Sequence, residues 1–360
     1  MSDRIFNRHR THLRSYLAAG YALFIAYASL SPFSGWQEQG LDFLEILFSP
    51  LGQTFTWFDF GINLLAYLPF GFLLAMMLRS RFPASGVLLA VVPGLAMSLL
   101  MEYAQMYLPA RVSSNSDLIS NGAGVVCGAL LAVNIETQEW FARMQQWYGR
   151  WFQRGSVSDF GLALLALWMF AQINPSLPML GSVFISEVAR SPFEVVPVLP
   201  FNWLECAAVA LNLLMPGVLL LTLLRERRHT LNLLLLALGV VTLAKFVIAA
   251  VLLKSWALLV WLNSEAMFGI VAGVLLVMLA SRLAQRKLIF YAVLAVLGYM
   301  VLVHWVMGGG GTPAGAMRLY HWHYGHMLNY NALSQIVALL FPLLLLGYLG
   351  WLRSRLSKAV

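Results

Sequence analysis

Charge is what this chain has least of: 11% of its 360 residues are Asp, Glu, Lys or Arg, against 60% hydrophobic. A soluble globular protein cannot bury that much apolar side chain and cover its outside with so little charge, so that class is excluded. Cysteine is nearly absent too. Cys127 and Cys206 both fall in or beside apolar runs, which rules out a disulfide framework and leaves them as small packing residues. Also missing are a strained nucleophile elbow, a phosphate-cradling glycine loop followed by Lys and Ser or Thr, a zinc-protease helix and a dinucleotide fingerprint. Catalysis of the kinds found in soluble enzymes therefore has no support.

What is present is hydrocarbon, at a mean hydropathy of +0.76. Lipid offers the backbone no hydrogen-bond partners, so a run of roughly 20 apolar residues crosses a bilayer as a helix. Ten such runs can be counted, at residues 15–32, 60–78, 85–108, 117–134, 159–175, 203–224, 231–253, 256–280, 288–307 and 332–352. The fold class is all-α, a polytopic transmembrane bundle. Basic residues stay on the cytoplasmic side of a membrane, and 18 of the 23 Lys and Arg fall at alternate ends of these runs. They are Arg4, Arg8, Arg10 and Arg14; Arg79 and Arg81; Arg143, Arg150 and Arg154; Arg225, Arg227 and Arg228; Arg282, Arg286 and Lys287; and Arg353, Arg355 and Lys358. Both termini are expected in the cytoplasm, and the formal charge of +8 is a topology signal that needs no nucleic acid to explain it. The first run has no small-residue cleavage site and is expected to be a retained anchor.

A weak internal repeat runs through the chain. Tyr27–Phe33 (YASLSPF) is echoed by Ala171–Pro178 (AQINPSLP), and Gly124–Leu131 (GVVCGALL) by Gly269–Leu276 (GIVAGVLL), at an offset near 145 residues. An even number of spans per copy makes the copies parallel. The expected organisation is a basic N-terminus (1–14), a four-helix unit (15–135), a cytoplasmic linker (136–158), a degenerate second four-helix unit (159–281), a C-terminal helix pair (288–352) and a tail (353–360). At that offset Asp117 and Asn121 correspond to Leu262 and Ala266, so the chemistry is expected in the first copy. Glu205, Lys245 and Glu265 of the second are expected to pair with one another.

In the first copy three pairs of polar residues return to one depth: Asp59 with Asn63, Glu102 with Gln105, and Asp117 with Asn121, with Arg111 in the short connection. Positions three or four apart share a helical face, and ionisable groups near hydrocarbon mark function by default. Asn121, Gly124 and Gly128 continue one stripe, where small residues admit a neighbouring helix. Pro69 with Gly71 and Pro93 with Gly94 interrupt the second and third spans, freeing carbonyls that a neighbour must satisfy. Three acids against one arginine would repel a bare phosphate. A carboxyl held protonated, a bound cation, or an amine or polyol ligand each removes that conflict. The structural alternative is a polar clamp locking three helices, tied by Arg111.

Taken in order, Asp59-x-x-x-Asn63, Pro69-Phe-Gly71, Glu102-x-x-Gln105, Arg111 and Asp117-x-x-x-Asn121-x-x-Gly124 resemble the signature of the VanZ-like family of bacterial membrane proteins, over about residues 20 to 135. The family is named for a protein associated with low-level teicoplanin resistance. The resemblance implies a multi-pass protein of the bacterial inner membrane that serves the cell envelope. Two functions remain open. In the first, the cluster binds or handles a lipid headgroup or lipid-linked envelope precursor without changing covalent bonds, with an effect on glycopeptide susceptibility. In the second, the protein is an intramembrane transferase or hydrolase with Glu102 or Asp117 as acid–base residue. No cofactor is implied.

Two external connections complete the reading. Residues 33–58, rich in Leu and Phe around Asp42 and Glu45, predict a helix lying at the interface, and residues 175–202, rich in proline, a loop that lies on or dips into the outer leaflet. Two readings stay open for them: together they roof the polar cluster, or they simply pack at the interface. His321, His323 and His326 crowd the last connection as metal candidates, but no acid or cysteine accompanies them, and they sit among aromatics typical of an interfacial belt.

Overall fold

A computed structural model describes residues 11–48, 56–181, 201–259, 261–307 and 325–358, apart from the side chains of residues 11, 256, 325–332 and 358. The helices are α1 (Thr11–Leu30), α2 (Phe43–Phe48), α3 (Trp57–Arg79), α4 (Gly86–Gln105), α5 (Asn115–Thr137), α6 (Glu139–Trp151), α7 (Ser156–Gln172), α8 (Trp203–Leu223), α9 (Thr230–Leu252), α10 (Ser264–Ser281), α11 (Gln285–Val301) and α12 (Gly325–Lys358). Each of the ten apolar runs forms a helix. Eight helices among the described residues are long and apolar enough to cross a membrane: α3, α4, α5 and α8 to α12. The apolar α7, at 17 residues, is shorter than that measure, and α1, which carries Arg14 in its first turn, is not among the eight. The protein is an all-α polytopic membrane bundle.

Polar caps set where the spans begin. Thr56 Oγ1 accepts the Asp59 amide at 3.0 Å before α3, and Ser114 Oγ the Ser116 amide at 3.2 Å before α5. Asn202 and Asn263 do the same for α8 and α10. Such side-chain acceptors satisfy amides that have no partner inside the helix. The Asn263 cap also explains why the eighth span starts at Ser264 and not near residue 256, as hydropathy alone suggests. The linker expected over 136–158 holds the helix α6, whose Trp140, Met144 and Trp147 are exposed.

The chain divides into two compact units, residues 1–150 with 154–159, and residues 151–153 with 160–360. In the first, α3 and α5 meet backbone to backbone. A Cβ on Gly128 would stand 2.0 Å from the Leu68 carbonyl oxygen, one on Gly124 2.3 Å from that of Leu64, and one on Gly71 2.1 Å from that of Val125. Only glycine allows that approach. Arg14, Arg79 and Glu136 close one end: Arg14 donates to the Met76 carbonyl and to Glu136 at 3.3 Å, and Arg79 Nε to Glu136 at 2.9 Å. At the other end Gln105 Nε2 donates to Ser29 O at 3.1 Å, joining α4 to the end of α1.

The second unit is built around α8, buried along most of its length from Ala208 to Leu223, as a helix apolar over most of its surface should be. Gly269 and Gly273 of α10 lie against Val209 and Leu213 of α8. These four positions are each 145 residues beyond Gly124, Gly128, Leu64 and Leu68, the corresponding contact of the first unit. Residues 173–181 are not helical, and all but Ile173 are buried. Their backbone is satisfied from within: Lys245 Nζ donates to Gln172 O at 3.2 Å and Pro178 O at 3.3 Å, Asn212 Nδ2 to Leu180 O at 2.8 Å, and Met179 N to Trp261 O at 2.8 Å. Irregular backbone at membrane depth requires such partners. The expected pairing among Glu205, Lys245 and Glu265 is not formed among the described residues. Lys245 is held by carbonyls and lies 5.9 Å over the Trp261 ring, while Glu265 accepts from Ser264 and the Asn202 amide. Carbonyls win because the buried non-helical turn places unsatisfied acceptors next to the ammonium group.

Candidate functional site

The first turn of α3, the last turn of α4 and the first two turns of α5 share the end of the first unit opposite Arg14, Arg79 and Glu136. That brings Asp59, Glu102 and Asp117 to one end, although more than fifty positions separate the first from the last. Their burial is graded. Glu102 is 5% exposed, Asp117 half-buried and Asp59 exposed. Asp117 lies within electrostatic range of both Asp59 and Glu102, with the Asn63 side chain beside it. Asp59 is also the partner of its own cap, receiving the Thr56 hydroxyl at 2.6 Å, and so doubles as a helix-start residue near the positive end of the α3 dipole.

Glu102 is held from the chain that follows it. Its Oε2 accepts the Ser114 amide at 2.9 Å and the Ser113 hydroxyl at 3.1 Å. No described residue donates to Oε1. A buried carboxylate is costly unless hydrogen-bonded, and bonds to a charged acceptor are the stronger kind. One turn deeper, Asn121 Nδ2 donates to Ser98 Oγ at 3.0 Å, while its Oδ1 has no partner. The Tyr67 hydroxyl lies beside Ser98 and within electrostatic range of Glu102 and Asp117, also without a well-aligned hydrogen bond. Both residues are 4% exposed.

Above Glu102 is a shallow recess, open to the outside and about 10 Å³ in volume, bounded by Phe43, Ile46 and Leu47 of α2 on one side and by Glu102, Ser113, Ser114, Asn115 and Leu118 on the other. The segment carrying α2 is fastened to the end of α4: Gln37 N donates to Tyr107 O at 2.9 Å, Gln39 Nε2 to Met106 O at 2.7 Å, and Phe43 packs edge-on against Tyr103. Leu44 and Phe48 of α2 are exposed at 60% and 80%. The helix expected in this connection thus forms over Phe43–Phe48 and borders the recess over Glu102, while residues 49–55 lie outside the described chain.

Two residues leave the cluster that the sequence assembled. Arg111 donates from Nε and Nη2 to Ser31 O at 3.2 and 2.9 Å, and from Nη2 to Ala28 O at 2.9 Å. It caps the carboxyl end of α1, where carbonyls lack helical partners and the dipole favours a cation. Half-burial lowers its pKa by desolvation. Gln105 turns to Ser29 in the same way. The cluster keeps its acids and loses its only arginine, so Arg111 is not the tie of a carboxylate clamp.

Four members were missed: Tyr67, Ser98, Ser113 and Ser114. The stripe rule reaches two of them. Tyr67 is four residues beyond Asn63 and Ser98 four before Glu102, and a cap before α5 reaches Ser114. The side chains of His321, His323 and His326, and residues 182–200 of the proline-rich connection, lie outside the described residues. Among the described residues no three His, Cys, Asp or Glu side chains converge closely enough to share one metal ion.

Residues 4–136 match the family model described as VanZ/LLP1. No curated protein and no solved structure matches the chain. The match covers a little over a third of the chain; over that segment the chain is similar to the VanZ/LLP1 family, and the acids, Asn63 and Asn121 all lie inside it.

Proposed function

We propose that the VanZ-like unit binds the headgroup of a lipid, or of a lipid-linked envelope precursor, in the recess over Glu102. One observation carries the reading: a buried carboxylate forms the polar floor of a recess whose cover is a short apolar helix with Leu44 and Phe48 exposed. An amphipathic molecule fits both parts, its polar end on Glu102 and its chains along the apolar cover and the lipid-facing helices. In this reading that end of the unit faces the periplasm of a bacterial inner membrane, which the positive-inside pattern supports, and the family resemblance is the ground for including an effect on glycopeptide susceptibility. The second unit is a degenerate copy in this reading. Its glycine contacts at the 145-residue offset support that, and so does the absence of polar residues at the positions matching Asp117 and Asn121.

The test is lipid analysis of the purified full-length protein. Glu102→Gln keeps shape and an acceptor while removing ionisation, so a species enriched with the wild type should be lost from the variant. Identical lipid profiles would overturn the proposal.

A second reading, an intramembrane transferase or hydrolase, draws on the 3.1 Å contact between the Ser113 hydroxyl and Glu102, an alcohol beside a carboxylate at the recess. Ser113→Ala separates the two. A binder keeps its lipid, whereas an enzyme that attacks through this hydroxyl loses turnover.

A further inference from the structure

The cluster is unusual in what it has left to offer a ligand, and the count can be made atom by atom. Its donors are mostly spent. Asn121 Nδ2 gives to Ser98, Ser113 and Ser114 give to Glu102, and Arg111 gives to the end of α1. Beside one donor, the Tyr67 hydroxyl, what remain are acceptors: the Asp59 and Asp117 carboxylates, Glu102 Oε1 and Asn121 Oδ1. The last of these is an independent sign of a missing partner. Asn121 is 4% exposed, its Oδ1 has no hydrogen bond, and the equally buried Tyr67 hydroxyl beside the same serine has none that is well aligned. Buried polar atoms in a native protein ordinarily have partners, and each exception asks for one.

We propose that this site, on the reading above that it takes a headgroup, selects a headgroup ending in a protonated primary amine. An ammonium group carries three donors and no acceptor, which complements an acceptor-rich cluster. Its charge also offsets the mutual repulsion of Glu102, Asp117 and Asp59. A phosphate-terminated or carboxylate-terminated headgroup would meet acids with no cation to offset them. A quaternary amine balances the charge but has no N–H to donate. A single divalent ion shared by the acids does not suit their spread, since no three of them converge to ligand distance among the described residues.

The experiment places the full-length protein in nanodiscs of equal phosphatidylethanolamine, phosphatidylcholine and phosphatidylglycerol, strips loosely held lipid with detergent, and quantifies what stays bound. Charge-assisted hydrogen bonds to one amine correspond to about a ten-fold preference or more. The wild type should therefore retain the ethanolamine lipid about ten-fold over the other two. Soluble ethanolamine should compete, which would show that the amine itself is read, and choline should not. Competition by neither would trace the preference to the rest of the lipid and overturn the inference. Glu102→Gln should erase the preference, and Tyr67→Phe, a milder change that keeps the ring, should reduce it. Retention of the glycerol lipid, or equal retention of ethanolamine and choline lipids, that is lost in Glu102→Gln would sink the amine inference and leave the headgroup site standing. Retention unchanged in both variants would remove the site itself.

Discussion

Ser114 caps two things at once, one through its amide and one through its hydroxyl. The amide donates to Glu102 Oε2 at 2.9 Å, twelve positions back in the chain, while the Ser114 hydroxyl starts α5 by accepting from Ser116. The last turn of one span and the first of the next are therefore fixed through a single carboxylate, and its burial is a product of that turn.

Glu102→Ala and Glu102→Gln should part company in stability. Alanine leaves the Ser114 amide without its acceptor, at a cost of about 1 to 3 kcal/mol. Glutamine still offers an oxygen, and should cost less than half of that. Thermal unfolding of the two variants in one detergent checks the order, while lipid retention should fall in both.

Gly128→Ala should be among the most damaging single changes in the first unit. The added carbon would lie 2.0 Å from Leu68 O, which is backbone and cannot swing aside. Gly239 in α9 has nothing within 4 Å, so Gly239→Ala serves as control and should gain a few tenths to about 1 kcal/mol in helix propensity. Comparing the melting and yield of the two variants decides it.

Arg111→Gln should weaken the first unit and leave its ligand choice alone. The guanidinium makes three hydrogen bonds to the end of α1 and none to the acids, so about 1 to 3 kcal/mol of stability is at stake. A changed order of retained lipids in the folded variant would return Arg111 to the site.

Lys245→Met should loosen residues 173–181, because two carbonyls lose their donor while the apolar volume is kept. Hydrogen exchange should rise across that segment and at Met179, whose amide bonds Trp261 O, and should be unchanged at Glu102.

Much of the fold was legible because the solvent is hydrocarbon. Each apolar run had to be a helix, and the pairs Asp59 with Asn63 and Asp117 with Asn121 had to share faces, whatever they packed against. Partners were harder to read. Arg111 counted as a counter-ion in the sequence because nothing there shows that the end of α1, eighty positions earlier, presents open carbonyls beside it. Lys245 was assigned to glutamates for the same reason, when the nearest acceptors are carbonyls of a buried turn. Tyr67 and Ser98 went unnoticed since Tyr and Ser are common in spans, although their spacing from Asn63 and Glu102 was a usable signal.

The sequence alone determined the class of molecule, the helical runs and the side of each acid along its helix, since hydropathy and helical period act locally. Tertiary structure decided which polar groups satisfy one another. Hydrogen bonds reach only about 3 Å, and which donors come that close depends on how tightly helices approach, here on glycines that let α3 and α5 touch.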